Sequence, residues 1–208
     1  MKNTRGKREA ILEAAFKVVT AKGYFETKVD DICHKAGCAK GTVYLYFKDK
    51  PDIYLGLIDS LFSRALEIVV EIDARPLPPE KKLEAVFSEW AKNVFTKPGV
   101  LALISPEHTN LPSEAIGRFR QTILPRIEQM IEAVAHVIRP GIESGRFRSV
   151  DAKLAALMFL QTFQTGVIAH HQGIGLKDPH NTVLKLFLSG LLAPARGKGR
   201  RPTIGNRR

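Results

Sequence analysis

The chain has 208 residues, of which 44% are hydrophobic and 25% are charged, a balance typical of globular proteins that argues against intrinsic disorder. Its formal net charge of +11 is unevenly distributed. Residues 1–50 carry 11 basic and 6 acidic side chains, residues 51–193 are balanced, and residues 194–208 carry 6 basic and no acidic ones. Basic ends on a neutral body suggest a polyanion as partner, either nucleic acid or an anionic membrane.

The sequence favours a soluble cytoplasmic protein without a membrane partner. Glu13 and Lys17 interrupt the apolar run near the N-terminus, so no signal peptide is predicted. The most apolar stretch, residues 154–160, is followed by polar residues and is too short for a membrane span. The two cysteines, Cys33 and Cys38, exclude a disulfide scaffold and favour a reducing compartment.

Apolar residues recur at helical spacing throughout, and no strand alternation is visible, so the predicted fold class is all-α with about nine helices. The first helix ends at Gly23. Thr27 is predicted to cap the second helix, with Asp30 completing an acidic capping box, and Gly37 to end it. A third short helix follows at about residues 39–45.

The remaining helices are longer. Asp49 is predicted to cap the fourth, with Pro51 in its first turn. Pro125 should kink the long helix that starts near Pro112. The predicted ranges after the fourth helix are about 80–97, 100–107, 112 to 141 or 145, 152–171 and 179–192.

Residues 27–47 form a predicted helix-turn-helix, the arrangement that places a second helix in the major groove of DNA. This second helix carries a glycine for close approach to phosphate, hydroxyl groups and basic side chains between its core positions. The predicted contact residues are Lys40, Gly41, Thr42, Tyr44, Tyr46 and, at the start of the fourth helix, Lys50. The alternative is a small helical hairpin with a solvated basic face.

Residues 8–54 resemble the DNA-binding domain of TetR-type (TetR/AcrR) transcriptional regulators. The similar stretches are Arg8–Phe16, Gly23-Tyr24, Thr27–Ile32, Ala36-Gly37, Lys40–Tyr44, Tyr46-Phe47 and Lys50. The resemblance implies that Thr27 and Lys28 contact phosphate at the start of the second helix. It also implies that Ala39, which replaces the usual serine, begins the recognition helix without a side-chain cap.

By the same resemblance, residues 1–48 would be the helix-turn-helix DNA-binding domain and residues 49–193 a larger helical domain for ligand binding and dimerisation. Residues 194–208 are a basic and disordered tail in this interpretation, which either adds contacts to DNA or only solubilises the chain. The last two long helices would form the interface of a homodimer, and their all-round apolar composition agrees with that.

A cavity between the fifth, sixth and seventh helices of this series could hold a small-molecule effector of unknown identity. Aromatic residues at helical spacing are more often core than pocket, so ordinary packing is the alternative. The predicted lining residues are Phe87, Trp90, Phe95, Ile104, His108, Phe119, Ile123, Met130, Gln161 and Phe163.

No enzymatic site is predicted, because the chain lacks a recognisable catalytic set, a phosphate-binding loop or a cofactor motif. Cys33, His34 and Cys38 suggest a metal cluster, but a zinc site needs four ligands and the first two are neighbours pointing apart. His170, His171 and His180 are better explained as a polar loop, so no metal and no cofactor are expected.

The predicted function is therefore sequence-specific transcriptional regulation. A homodimeric repressor, released from a palindromic double-stranded DNA operator by a small-molecule effector, is favoured. The alternatives are a transcriptional activator of the same fold, a non-specific DNA-coating protein, or an enzyme whose DNA-binding head is vestigial.

Overall fold

A computed structural model describes residues 2–95, 113–172, 175 and 177–194 of the chain. These residues form eight helices and no named strand, which confirms the all-helical prediction. The helices are α1 (Lys2–Lys22), α2 (Val29–Ala36), α3 (Lys40–Tyr44), α4 (Lys50–Asp73), α5 (Pro79–Phe95), α6 (Ser113–Glu143), α7 (Ala152–His171) and α8 (Pro179–Leu191). The short helix predicted near residues 100–107 lies outside the described residues.

Helices α1 to α3 close around a first apolar core, which we call the head core. Ile11 and Ala15 of α1 meet Ile32 of α2 and Val43 of α3, and all four are almost fully buried. Phe47 completes this core just after α3. The apolar spacing in the sequence therefore packs three helices into one small unit.

Glycine at position 37 makes the turn between α2 and α3. It ends α2 in the left-handed conformation, with φ of 61°, which an L side chain rarely adopts. The Cys38 N–H then donates to the Cys33 carbonyl at 3.1 Å, so the chain reverses within two residues. The predicted end of α2 is confirmed.

The N-terminal cap of α2 differs from the prediction. Lys28, not Thr27, is the cap residue, and its N–H donates to the Asp31 carboxylate at 3.0 Å, so Asp31 takes the part predicted for Asp30. The Thr27 hydroxyl donates instead to the Gly23 carbonyl at 2.7 Å, and Thr27 is only 1% exposed. The chain turns one residue later than the sequence suggested, because this hydroxyl is used to close the α1–α2 loop.

A second apolar core, the body core, lies between the C-terminal half of α4 and helices α5 to α8. It contains Leu83 and Phe87 of α5, Ile138 of α6, Phe159 of α7 and Leu188 of α8. Helices α4 and α6 contribute to both cores: Ile53 to Ile58 of α4 and Ile123 of α6 belong to the head core. Helix α4 therefore belongs partly to each core, and the predicted domain boundary between residues 48 and 49 stays a prediction.

Helix α7 has an apolar surface that its neighbours cover only in part. Ala156, Phe159 and Val167 are buried against α6 and α8, whereas Leu154 and Met158 are more than half exposed. Residues 152–170 reach a mean hydropathy of 1.2, so length and composition alone would allow a membrane span, contrary to the prediction from the shorter stretch. A helix packed into a protein core passes the same test, so this is weak evidence for a membrane.

Candidate nucleic-acid interface and effector region

Helix α3 presents one polar face to solvent and one apolar face to the head core. Val43 is fully buried and anchors the helix, so the residues around it are divided between the two faces. The predicted contact residues Lys40, Gly41 and Tyr44 are exposed, and Thr42 is half-buried at the edge of the face. The face is thus free to enter a groove, while the core holds the backbone behind it.

The start of α3 has no side-chain cap, as predicted. Ala39 is its N-cap residue, is exposed, and accepts only through its backbone carbonyl, from the Thr42 N–H at 2.9 Å. The first N–H groups of α3 therefore have no partner from an Ala39 side chain. Phosphate oxygens are natural acceptors for such groups.

The ammonium of Lys40 lies next to α2. It is 3.0 Å from Asp30 Oδ1, and this hydrogen bond and charge raise the pKa of Lys40 above its ordinary value. Both side chains are mostly exposed, so the pair is worth little to stability. It does hold Lys40 on the side of α3 that faces α2.

Lys50 occupies the first turn of α4 and faces the α1–α2 loop. Its Nζ donates to the Phe25 carbonyl at 3.0 Å and lies 4.5 Å from the ring centre of Tyr24. Burial lowers the pKa of Lys50. An ammonium has three donor hydrogens, so a phosphate can bind Lys50 while the bond to Phe25 remains.

Two predicted DNA contacts are less accessible than the sequence suggested. Thr27 is almost fully buried, so the structure contradicts a phosphate contact by its side chain. Tyr46 packs partly against the head core, because it lies three residues after the buried Val43, on the same side of the helical turn. Lys28, by contrast, is exposed at the start of α2.

The structure adds two apolar residues to this surface that sequence reasoning did not select. Leu45, immediately after α3, is 82% exposed, and Phe25 in the α1–α2 loop is 55% exposed. The sequence does contain a signal that Leu45 is exposed. Leu45 lies between two buried positions, Val43 and Phe47, and therefore points to the opposite side. Exposed side chains of this size beside a basic face suit contact with thymine methyl groups or with sugars.

The predicted effector wall is divided between the two cores. Phe119 and Ile123 pack with the head core, whereas Phe87, Trp90 and Met130 belong to the body core, with Phe163 packed against it. Helical spacing places a residue on a face but does not say which neighbour covers that face. The structure therefore divides these six residues between two packing clusters.

Aromatic packing accounts for several of these side chains. The ring centres of Phe87 and Phe163 lie 5.1 Å apart and those of Trp90 and Phe163 lie 5.3 Å apart. The Trp90 indole N–H donates to the Ala65 carbonyl at 3.1 Å, so its only polar group is satisfied. Edge-to-face contacts of this kind are those of a packed interior.

Gln161 is a correction. It is exposed on α7, on the same side as Leu154 and Met158, and so faces away from the aromatic cluster. The cause is the helical phase of α7, which the all-round apolar composition concealed. Ile104 and His108 lie outside the described residues, as does the side chain of Phe95.

A groove of about 310 Å³ lies between α5 and α8. Phe87 and Ala91 line it from α5, and His180 and Leu184 line it from α8. Of the predicted wall, it includes Phe87 alone. Within the part of the chain that the structure describes, no group of three or more metal-ligating side chains occurs, and Cys33 and Cys38 are free thiols.

Three helices around one core, of which the second and third are short and the third has an exposed polar face, define a helix-turn-helix DNA-binding protein. Residues 11–57 match the family model "Bacterial regulatory proteins, tetR family". Residues 11–57 therefore form a TetR-type DNA-binding domain, and the chain is a DNA-binding transcriptional regulator.

Relatives that extend over nearly the whole chain are also regulators. The fatty acid metabolism regulator protein of Bacillus subtilis (strain 168) is 29% identical, over 92% of this chain and 98% of its own length. The HTH-type transcriptional repressor KstR2 of Rhodococcus jostii is 26% identical, over 91% of this chain and 93% of its own length. The crystal structure of the transcriptional regulator FadR from Bacillus subtilis in complex with stearoyl-CoA aligns with a TM-score of 0.74 and 26% identity, over 88% of this chain and 98% of that one.

Proposed function

We propose that this protein is a homodimeric repressor that binds a palindromic DNA operator and leaves it when a small-molecule effector binds. The observation that carries the proposal is the exposed polar face of α3, held by Val43 and Phe47 against the head core. A short helix anchored in this way places its solvent side in a major groove. The near-full-length relative KstR2, a repressor, supports the direction of regulation.

The DNA contacts we propose divide by chemistry. Thr42, Tyr44 and Leu45 face the bases, by hydroxyl groups and by apolar contact. Phosphate contacts come from Lys28, Lys40 and Lys50 and from the backbone around Ala39 and Gly41.

A second protomer is proposed on the exposed side of α7 and α8. Leu154 is 57% exposed and Leu186 is 67% exposed, and Leu157 and Met158 add further exposed apolar surface on α7. Two helices from each protomer would cover these side chains in a four-helix interface. Helices α1 to α3 of each protomer form a unit that we call the reading head. Two reading heads joined in this way fit half-sites that lie in successive major grooves.

For the effector we propose a molecule with a long acyl chain, such as an acyl-CoA. The similarity to the fatty acid metabolism regulator and to the regulator crystallised with stearoyl-CoA, each over nearly the full chain, supports this class. Since these relatives are bacterial DNA-binding regulators, we infer that the protein acts in the cytoplasm.

The first test is selection of bound sequences from a random DNA pool at physiological salt. We expect an inverted repeat, which would also give the operator. Failure to enrich any sequence, with retention that disappears on adding salt, would overturn the proposal in favour of non-specific DNA coating.

The second test is release from that operator. We expect stearoyl-CoA to dissociate the complex, and CoA alone or butyryl-CoA at the same concentration to leave it intact. Transcription in vitro from a promoter that contains the operator should fall on adding protein and recover on adding stearoyl-CoA. A rise on adding protein would instead identify an activator.

A further inference from the structure

A bidentate ion pair joins helix α6 to the first residue before α4. Arg118 Nη1 donates to Asp49 Oδ1 at 3.2 Å, and Nη2 donates to Oδ2 at 2.9 Å. Asp49 is also the N-cap of α4, because its Oδ1 accepts from the Asp52 N–H at 2.8 Å. One carboxylate therefore caps the helix that leaves the reading head and contacts the body of the molecule.

The ion pair lies close to residues that anchor the recognition helix or are proposed to contact DNA. Asp49 lies two residues after Phe47, which anchors the recognition helix, and immediately before Lys50, which we propose contacts phosphate. Burial alone would raise the pKa of Asp49, but the Arg118 guanidinium and the Asp52 N–H outweigh it and lower the pKa. The carboxylate is thus ionised at neutral pH, where the pair is complete.

The bond geometry restricts orientation as well as distance. A guanidinium that meets a carboxylate through two parallel hydrogen bonds holds the two groups in one plane. The same end of α6 places Ile123 in the head core, so the ion pair and the apolar contact act on one junction. Both charged side chains are about one third exposed, so we expect little contribution to overall stability.

We propose that Arg118 is a positioning residue, which through Asp49 holds the start of α4 and the reading head in the orientation that binds the operator. This inference rests on the proposed function. Displacement of α6 by the effector would break the pair and release the head. The coupling between operator and effector is reciprocal, so operator binding should weaken effector binding in the unmodified protein. This weakening should be smaller when the ion pair is absent.

The test is a double-mutant cycle on operator affinity with Asp49→Asn, Arg118→Gln and the double variant. Asparagine is also a good N-cap, so the start of α4 should persist in Asp49→Asn. We expect each single variant to raise the operator Kd about fivefold and the double variant to be no weaker than either single one. The effector-induced change in Kd should shrink by a similar factor, and Arg118→Lys should be intermediate.

Arg64→Gln is the matched control. It removes the same type of side chain from the surface of α4, where Arg64 pairs with Glu67 and Glu71 of its own helix. This variant should bind the operator and respond to the effector as the unmodified protein does. Thermal melts of all variants check that any loss of affinity is not a loss of folding.

Two results would overturn the inference. One is an operator Kd and effector response in Arg118→Gln equal to those of the unmodified protein. The other is additive weakening in the double variant, which would show that the two residues act separately. If the unmodified protein itself selects no operator, the proposed function fails instead, so the two failures are distinguishable.

Discussion

At the scale of single residues, two tyrosines that look alike in the sequence lie in different environments at the end of α3. Tyr44 is 48% exposed on the face proposed to meet DNA, whereas Tyr46 packs partly against the head core. The difference follows from the helical phase set by the buried residue Val43. Removing the Tyr44 side chain should therefore affect DNA binding, and removing the Tyr46 side chain should affect stability.

Tyr44→Ala should weaken operator binding about tenfold, or about 1.4 kcal/mol, because it removes a hydroxyl and a ring from the interface but nothing from the core. Its melting temperature should be unchanged. Tyr46→Ala should instead lower the melting temperature, since it takes apolar surface away from the head core. Fluorescence anisotropy and thermal melts measure both; normal operator binding by Tyr44→Ala would show that the site assignment is wrong.

A second prediction concerns Gly141 in α6, where no side chain fits. A Cβ added there would lie 2.3 Å from the ring of Phe147, which is itself buried. Gly141→Ala should lower the free energy of unfolding by about 2 kcal/mol, because the ring has to move within a packed core. Urea unfolding measures the change.

Gly117, on the same helix, is the matched control, since nothing lies within 4 Å of an added Cβ. Gly117→Ala should stabilise the protein by about 0.5–1 kcal/mol through helix propensity. If both substitutions changed the free energy of unfolding equally, a clash with Phe147 would not explain the effect at position 141.

At the scale of helices, the end of α4 is joined to two neighbours by one carboxylate. Asp73 lies 2.8 Å from Lys82 Nζ of α5 and 2.6 Å from His136 Nδ1 of α6. Burial alone would raise the pKa of Asp73, but the hydrogen bonds and charges of Lys82 and His136 outweigh it and lower the pKa. A carboxylate with a lowered pKa in the folded state stabilises the protein above its unfolded pKa, and this contribution is lost as the pH falls through the folded pKa.

Asp73→Asn should therefore reduce the free energy of unfolding by about 1 kcal/mol at pH 7. The difference from the unmodified protein should persist down to about pH 5 and vanish as the pH falls below about 4, the ordinary range of aspartate. Urea unfolding across this pH range measures it. Glu128→Gln, an exposed change on α6, serves as control, and a difference that does not depend on pH would contradict the linkage.

At the scale of the whole molecule, helices α7 and α8 leave apolar side chains exposed to solvent. They include Leu154, Leu157, Met158 and Leu186. Spacings of three and four residues place the α7 members on one face of that helix. Apolar surface arranged in this way favours a partner protomer.

The double substitution Leu154→Glu with Met158→Glu should give a monomer, because it places charges in the proposed interface. The operator Kd should rise by at least about tenfold, since the two half-sites are no longer bound jointly. Sedimentation velocity measures the mass. Leu124→Glu, on an exposed leucine of α6, is the matched control and should stay dimeric; a dimer in both would place the interface elsewhere.

The sequence by itself determined the helical fold class and the helix-turn-helix, because these depend on local spacing, caps and glycine turns. Its resemblance to known regulators indicated the TetR-type DNA-binding domain. The αL turn at Gly37 and the cap by Asp49 are local features of this kind, and both were predicted correctly. Asp31 replaced Asp30 in the α2 cap because the buried hydroxyl of Thr27 shifted the turn by one residue.

Only the tertiary structure decided which helix faces meet. Spacing placed Phe119, Ile123 and Phe87 on apolar faces, but the packing assigned the first two to the head core and the third to the body core. It also turned Gln161 to the outside and brought Arg118 to Asp49, 69 residues away in the chain. Contacts over such separations depend on how helices cross, and no local pattern in the sequence contains that information.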